Sequence, residues 1–273
     1  MPRKARIDAP GALQHIIIRG IEKRSIFRDD WDRDRFLDRL GKLLLTTSTP
    51  CYAWTLMPNH VHLLLRTGLT PLATVMKRLL TGYAQYFNRR HKRCGHLFQN
   101  RYKSILCEEE SYFIELLRYI HLNPLRAGLL IEFDVLKSYQ YSGHSTLMGT
   151  LSYEWQDQDY VLNFFGKRRS AARIEYMRFV ADGISQGSRP DLMGGGFLRS
   201  IGGWTALKEC QRRGDCIKGD ERILWSTNFV AQVLEESEEA LKEDYSLKNQ
   251  GIDFEFLLFR VAKFCDVESE DFL

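Results

Sequence analysis

Apolar and polar positions along roughly the first half of the chain set out strands and helices in a definite order. Ala12 to Arg19 (ALQHIIIR) is short, rich in β-branched residues and fenced by Pro10-Gly11 and Gly20, so it reads as a first strand. From Asp29 to Thr46, the residues Trp31, Phe36, Leu37, Leu40, Leu43 and Leu44 recur at helical spacing, and Asp29 or Asp30 is placed to cap the start. Cys51 to Met57 and His60 to Arg66 are two further strands, joined by a hairpin-sized turn at Pro58-Asn59. Leu72 to Arg90 is a second amphipathic helix that runs into the basic stretch RRHKR. Arg101 to Cys107 follows as a fourth strand, and Glu109 to Leu122 as a third helix whose acidic start suits the positive end of the helix dipole. This order is that of an α+β protein with a ferredoxin-like, split βαβ antiparallel sheet and helices on one face. Strands one and three are then neighbours in the middle of the sheet.

Past Gly149 the pattern weakens. Residues 1–150 are expected to be the core domain. Residues 151–203 are expected to be a helical linker region, with small helices over Leu151 to Phe165 and Arg168 to Gly183 and a glycine-rich loop containing Gly194-Gly195-Gly196. Residues 204–273 are expected to be a mostly helical C-terminal region. Phe254, Leu257, Leu258, Val261, Ala262 and Phe264 fall on a helical pattern there, similar to the opening of a helix-turn-helix cut short, or to an acidic helical tail.

Charge changes the picture more than composition does. No Asp or Glu occurs between Arg39 and Cys107, where Arg39, Lys42, Arg66, Lys77, Arg78, Arg89, Arg90, Lys92, Arg93, Arg101 and Lys103 supply eleven positive charges. From Asp220 to Leu273 the balance reverses, with fourteen acidic residues against five basic ones. A long acid-free basic segment attracts a polyanion, and phosphate backbones are the commonest one in a cell. Tyr83, Tyr86, Phe87, Phe98 and Tyr102 interleave with these cations, and rings in such company can stack unpaired bases. The six cysteines show no CxxC spacing, so neither a zinc ribbon nor a disulfide framework is expected. No apolar run approaches a membrane span and the start of the chain lacks a secretory core, which makes the cytoplasm the expected location.

Two fragments carry the candidate chemistry. In a strand, His60 and His62 project from the same face and place two imidazoles side by side, a geometry for gripping one metal ion. In the third helix, at about 100° per residue, Tyr119 and Asn123 lie one turn apart on one face while His121 points the other way. Taken by themselves, the histidines fit a pair of core or edge residues equally well, Tyr119 fits a packing aromatic, and Asn123, just before Pro124, fits a helix end. Tyr112 shares the face of Tyr119 seven residues earlier, but Leu116 stands where a polar partner would be needed. His15, in the first strand, reads as a packed or solvent-facing residue rather than a ligand.

His-hydrophobic-His after Pro58-Asn59, the segment GHLFQNRYKS (Gly95 to Ser104) and RYIHLNPLRAGL (Arg118 to Leu129) together resemble the single-tyrosine HUH transposases, and within them the REP-associated branch. The likeness covers roughly residues 10–150, with the pieces in the expected order. It implies an HUH nuclease fold in which His60, His62 and Asn123 hold Mg²⁺ or Mn²⁺ and Tyr119 is the nucleophile. The implied reaction is cleavage of single-stranded DNA through a 5′-phosphotyrosine intermediate, with recognition of hairpins formed by repetitive palindromes. Arg66, Lys77, Arg78, Arg89, Arg90, Lys92, Arg93, Arg101 and Lys103 are the expected DNA contacts, and the working unit is a monomer or a homodimer. Two rival readings stay open at this point: a domesticated regulator that binds hairpin DNA without cutting it, and a metal-dependent hydrolase that uses the HxH pair to activate water.

Overall fold

A computed structural model describes residues 10–187 together with 189, 192 and 223–224. The strands and helices β1 (Leu13–Arg19), α1 (Asp30–Thr46), β2 (Cys51–Met57), β3 (His60–Arg66), α2 (Leu72–Arg90), β4 (Lys103–Cys107) and α3 (Glu109–Arg126) follow one another in the expected order. The first four strands are antiparallel in the spatial order β2-β3-β1-β4. A two-residue strand, β5 (Ile223–Leu224), adds beside β4 in parallel. The expected central pair is therefore present, in register from Leu13 opposite Arg66 to Arg19 opposite His60.

Alternation along β1 and β3 explains where the layers go. Ile16, Ile18, Val61, Leu63 and Leu65 point to one face, where α1 and α2 cover them with Phe36, Leu40, Leu44, Val75, Leu79 and Tyr83. Asp29 accepts a hydrogen bond from the Asp32 amide and caps α1, which sets where that helix starts. The intervening residues Leu13, Ile17 and Leu64 are apolar as well, so the second face also needs a lid. That lid is α3 with α4 (Gly143–Met148), α5 (Gln158–Asn163) and α6 (Arg169–Asp182). Helices on one face thus holds for α1 and α2, while the later helices form a third layer. Burying an apolar side chain completely contributes about 1.5–3 kcal/mol, so a sheet apolar on both sides favours this sandwich strongly.

Residues 151–187 pack into this second core through Val161, Leu162, Ala172, Tyr176 and Val180. The glycine-rich stretch around Gly194 and the acidic region 204–273, apart from Ile223 and Leu224, lie outside the described residues. Among the described residues no helix is long and apolar enough to cross a membrane.

The third helix runs past its expected end at Leu122 and carries Pro124 inside it. Proline has no N–H, so the Ile120 carbonyl loses its partner four residues on. Asn123 makes up for this: its Nδ2 donates to the Tyr119 carbonyl at 2.9 Å and reaches the Ile120 carbonyl at 3.5 Å. The helix then closes normally, with the Ala127 amide donating to the Asn123 carbonyl.

Candidate metal and nucleophile site on the second sheet face

β3 projects His60 and His62 onto the face covered by α3, with ring centroids 5.0 Å apart and the rings nearly perpendicular. α3 lays Tyr119 against them. Its ring centroid is 5.7 Å from that of His62, edge to face, and only 6% of the residue is exposed. All three side chains belong to one chain, so the helix need not be exchanged between subunits to bring tyrosine and histidines together.

Both histidines already use one ring nitrogen. His60 Nδ1 lies 2.7 Å from Asn59 Oδ1, an atom that can only accept, so Nδ1 carries the proton. His62 Nδ1 lies 2.9 Å from Nε2 of His15, a buried neighbour on β1. The turn that carries Asn59 is itself anchored, since Gly20 donates its amide to the Asn59 carbonyl and Asn59 Nδ2 donates to the Lys23 carbonyl. Burial, aided by the charge of Arg19, pushes the His60 pKa down to about 4. Burial and then the neighbouring His15, His60 and Arg19 hold His62 well below the usual imidazole range. His15 is pushed down to about 3, mainly by burial. All three rings are therefore uncharged at neutral pH. With its proton on Nδ1, His60 keeps the Nε2 lone pair for a ligand.

This donor set fits a divalent cation. Neutral imidazole is the form that ligates, and metal-bound histidines ordinarily donate their second nitrogen, as His60 does here. Among the described residues no cluster of three or more His, Cys, Asp or Glu side chains is placed to hold a metal. A third protein ligand would then be a neutral oxygen, and the side-chain amide of Asn123 offers one. Asn123 is partly buried one turn beyond Tyr119, and its Nδ2 is committed to its own helix, which leaves Oδ1 as the available atom.

His121 and Tyr112 fall where expected, and several of the expected DNA contacts do not. His121, buried and facing away from Tyr119, receives or donates a hydrogen bond at Nδ1 from the Tyr176 hydroxyl at 2.8 Å and is a structural residue. Tyr112 packs half-buried against the second core. Arg66 does not face the site. It sits at the far end of β3, donates to the Tyr52 hydroxyl, the Gly11 carbonyl and the Tyr160 hydroxyl, and lies over both tyrosine rings. Arg90 is spent on Asp29 and the fully buried Asp32. Its guanidinium hydrogen bonds hold the Asp29 carboxyl down at about 2. Arg93 turns to Asn88 and the His96 carbonyl. Nor do the interleaved rings offer a stacking platform. Tyr83, Phe87 and Tyr102 are buried in the first core, with Tyr86 and Phe98 packed against it.

Lys77, Arg78, Arg89, Lys92, Arg101 and Lys103 remain exposed. Lys103 stands opposite Ile17 on the histidine face of the sheet, close enough for its charge to act on His15. Arg19, opposite His60, is exposed on the same face and acts on both HxH histidines. Charge counting passed over Arg19 because it lies outside the acid-free segment. Its place next to His60 was available from strand pairing alone.

The family model of IS200-like transposases matches residues 11–123, from just before β1 to the asparagine of α3. This stretch of the chain is similar to IS200-like transposases. The matched span contains His60, His62, Tyr119 and Asn123. Among solved structures, a REP-associated tyrosine transposase bound to a REP hairpin is similar to 57% of this chain and 91% of its own, at 13% identity and a TM-score of 0.45. No curated protein matches the chain significantly.

Proposed function

We propose that the chain is a metal-dependent endonuclease and strand transferase for single-stranded DNA, with Tyr119 as nucleophile and hairpins of repetitive palindromes as its target. The observation that carries this reading is the edge-to-face contact of Tyr119 with His62, 5.7 Å between centroids, beside the second imidazole of the HxH pair. A tyrosine there reaches a phosphate bound to those histidines' ion, whereas a water-activating hydrolase has no use for it.

In the forward step Tyr119 Oη attacks phosphorus, the bond to O3′ breaks, and the 3′ oxygen takes up a proton and departs as a free hydroxyl. The phenolic proton passes to water, and the DNA 5′ end stays on the protein as a phosphotyrosine. A second 3′-hydroxyl reverses the step and releases Tyr119, with one phosphodiester formed for each one broken. Phenolate is a better leaving group than alkoxide, so rejoining requires no ATP. Mg²⁺ or Mn²⁺, held by Nε2 of His60 and His62 and by Asn123 Oδ1, would supply Lewis-acid stabilisation of charge on the non-bridging oxygens. Neutral ligands leave that charge undiminished. Lys77, Arg78, Arg89, Lys92, Arg101 and Lys103, joined by Arg19, would hold the DNA backbone.

The test uses hairpin and unstructured single-stranded oligonucleotides labelled at the 3′ end, incubated with Mn²⁺, Mg²⁺ or chelator and run on a denaturing gel. A labelled protein band that needs metal and vanishes in Tyr119→Phe is expected. Cleavage without any protein-linked product, surviving in Tyr119→Phe, would replace the tyrosine by water. Binding with no cleavage under any metal would make the protein a DNA-binding regulator.

A further inference from the structure

The HxH pair is usually described by its two ligating rings, but in this protein a third histidine takes part. His15 lies on β1, fully buried, with Nε2 2.9 Å from His62 Nδ1 and the two rings meeting edge to edge, 5.1 Å between centroids and 25° from coplanar. On its other side, His15 Nδ1 is 3.2 Å from the Leu192 carbonyl. A carbonyl can only accept, so His15 Nδ1 carries the proton and donates it to Leu192. A buried, uncharged imidazole then has only a lone pair at Nε2, and the 2.9 Å contact must be donated by His62 Nδ1–H. The direction of one hydrogen bond at Leu192 thus sets the tautomer of His62 two links away. The lone pair of His62 is forced to Nε2, the same atom that Asn59 leaves available on His60.

We propose that His15 is a positioning residue for the metal site: it accepts the Nδ1 proton of His62 and so fixes that ring in the tautomer and orientation that present Nε2 to a divalent cation. The inference rests on the proposed metal role of His60 and His62. Partners of this kind, one step behind a ligand, typically change metal affinity about 10–100-fold when removed. A packing role alone would be filled equally well by any side chain of similar volume. Tyr119 meets the His15 ring nearly at right angles, 6.1 Å between centroids, so the ring nitrogens of His15 are engaged by His62 and Leu192.

Two measurements on the full chain decide the matter. The first needs no metal: long-range ¹H–¹⁵N spectra of the imidazoles report which nitrogen of His62 is protonated, and a two-bond ¹⁵N–¹⁵N coupling reports the hydrogen bond to His15. The expected result is Nδ1–H on His62 with a coupling to His15 Nε2. His62 protonated at Nε2 in the unmodified protein would overturn the proposal, whatever the protein's activity. The second is Mn²⁺ affinity, followed by the loss of free Mn²⁺ signal in electron paramagnetic resonance, for His15→Leu and His15→Gln. His15→Leu should bind roughly 10–100-fold more weakly, with both His62 tautomers populated. His15→Gln, whose side-chain oxygen can still accept, should recover part of the loss. Equal affinities for all three proteins would also overturn it. If the unmodified chain binds no Mn²⁺, the metal reading fails while the spectra still settle what His15 does. If His15→Leu does not fold, His15→Gln and the coupling carry the test.

Discussion

Replacing Tyr176 by phenylalanine tests how the rear of α3 holds its front in place. Tyr176 on α6 is fully buried, and its hydroxyl lies 2.8 Å from His121 Nδ1 on α3 and 2.7 Å from His144 Nδ1 on α4. A hydroxyl has one proton, so it donates to one imidazole and accepts from the other. The remaining ring nitrogens, Nε2 of His121 and of His144, are buried without a hydrogen-bond partner among the described residues. Tyr176→Phe keeps the ring and its packing but strips both imidazoles of their partner. Leaving a buried polar atom unsatisfied costs about 1–3 kcal/mol, so two of them cost about 2–6 kcal/mol. That is a large fraction of the 5–15 kcal/mol or so that holds an ordinary domain together. Urea unfolding followed by circular dichroism measures the difference between variant and parent. Replacing His121 and His144 by leucine as well, so that nothing polar is left stranded, should restore a good part of the loss. A Tyr176→Phe protein within about 0.5 kcal/mol of the parent would show that water or a packing shift satisfies these nitrogens, and the reasoning about the triad would fail.

Acid should unfold the protein through its buried histidines. Burial holds His15 and His144 at about 3, far below the unfolded value of 6.5, so through that interval the unfolded chain binds protons that the folded one refuses. Stability is then complete above pH 6.5 and falls as the pH drops towards 3, by about 1.4 kcal/mol per pH unit for each ring; a urea midpoint unchanged between pH 7 and pH 5 would contradict this. Arg89→Gln and Arg101→Gln should each weaken single-stranded DNA binding and lower the slope of log affinity against log salt by about 0.7, whereas Arg90→Gln and Arg66→Gln should leave the slope alone and lower thermal stability. A slope that drops for Arg66→Gln would return that residue to the DNA interface. Mn²⁺ and DNA should help each other bind, because an ion on uncharged ligands beside Arg19 and Lys103 lacks a counterion until a phosphate arrives. The Mn²⁺ affinity of Tyr119→Phe should therefore rise about 5–150-fold with oligonucleotide present, and equal affinities would count against the electrostatic account.

What could be read from the chain alone followed from how local each feature is. The strands that carry His60 and His62 are set by residues next to them, so Cys51–Met57 and His60–Arg66 were legible to the residue. The pairing of Tyr119 with the histidines rested on a family resemblance, since no local rule brings position 119 to position 62. His15 is packed, as expected, but its hydrogen bonds to His62 on a neighbouring strand and to Leu192, 177 residues away, had no local signal. Arg66 and Arg90 counted as DNA contacts because a charge shows in the sequence and its partner does not. Arg90 answers to Asp29 and Asp32, at the start of a helix about sixty residues earlier. The rings between the cations were misread for a similar reason, since spacing on α2 puts Tyr83 and Phe87 on the core side whatever charge lies near them. The helix end at Leu122 failed for the opposite reason. Pro124 is a strong local stop signal, and the Asn123 side chain offsets it by reaching the Ile120 carbonyl that proline strands and donating to the Tyr119 carbonyl beside it.

That override matters for the site as well as for the helix. A residue further along α3 turns the helix face by about 100°, so the tyrosine meets His62 only in one rotational setting. Three contacts fix that setting from different sides. Phe113, Leu116, Leu117 and Ile120 bind α3 to the sheet, the Tyr176 hydroxyl grips His121 at the rear, and Asn123 keeps the last turn helical past the proline. His121 and Asn123 follow Tyr119 within about one turn, so helix rigidity is concentrated next to the tyrosine that the proposed reaction must aim. The cost of burying imidazoles without full hydrogen bonding at His121 and His144 then has a functional counterpart: a site held by packing alone could rotate, and one pinned by directional hydrogen bonds cannot.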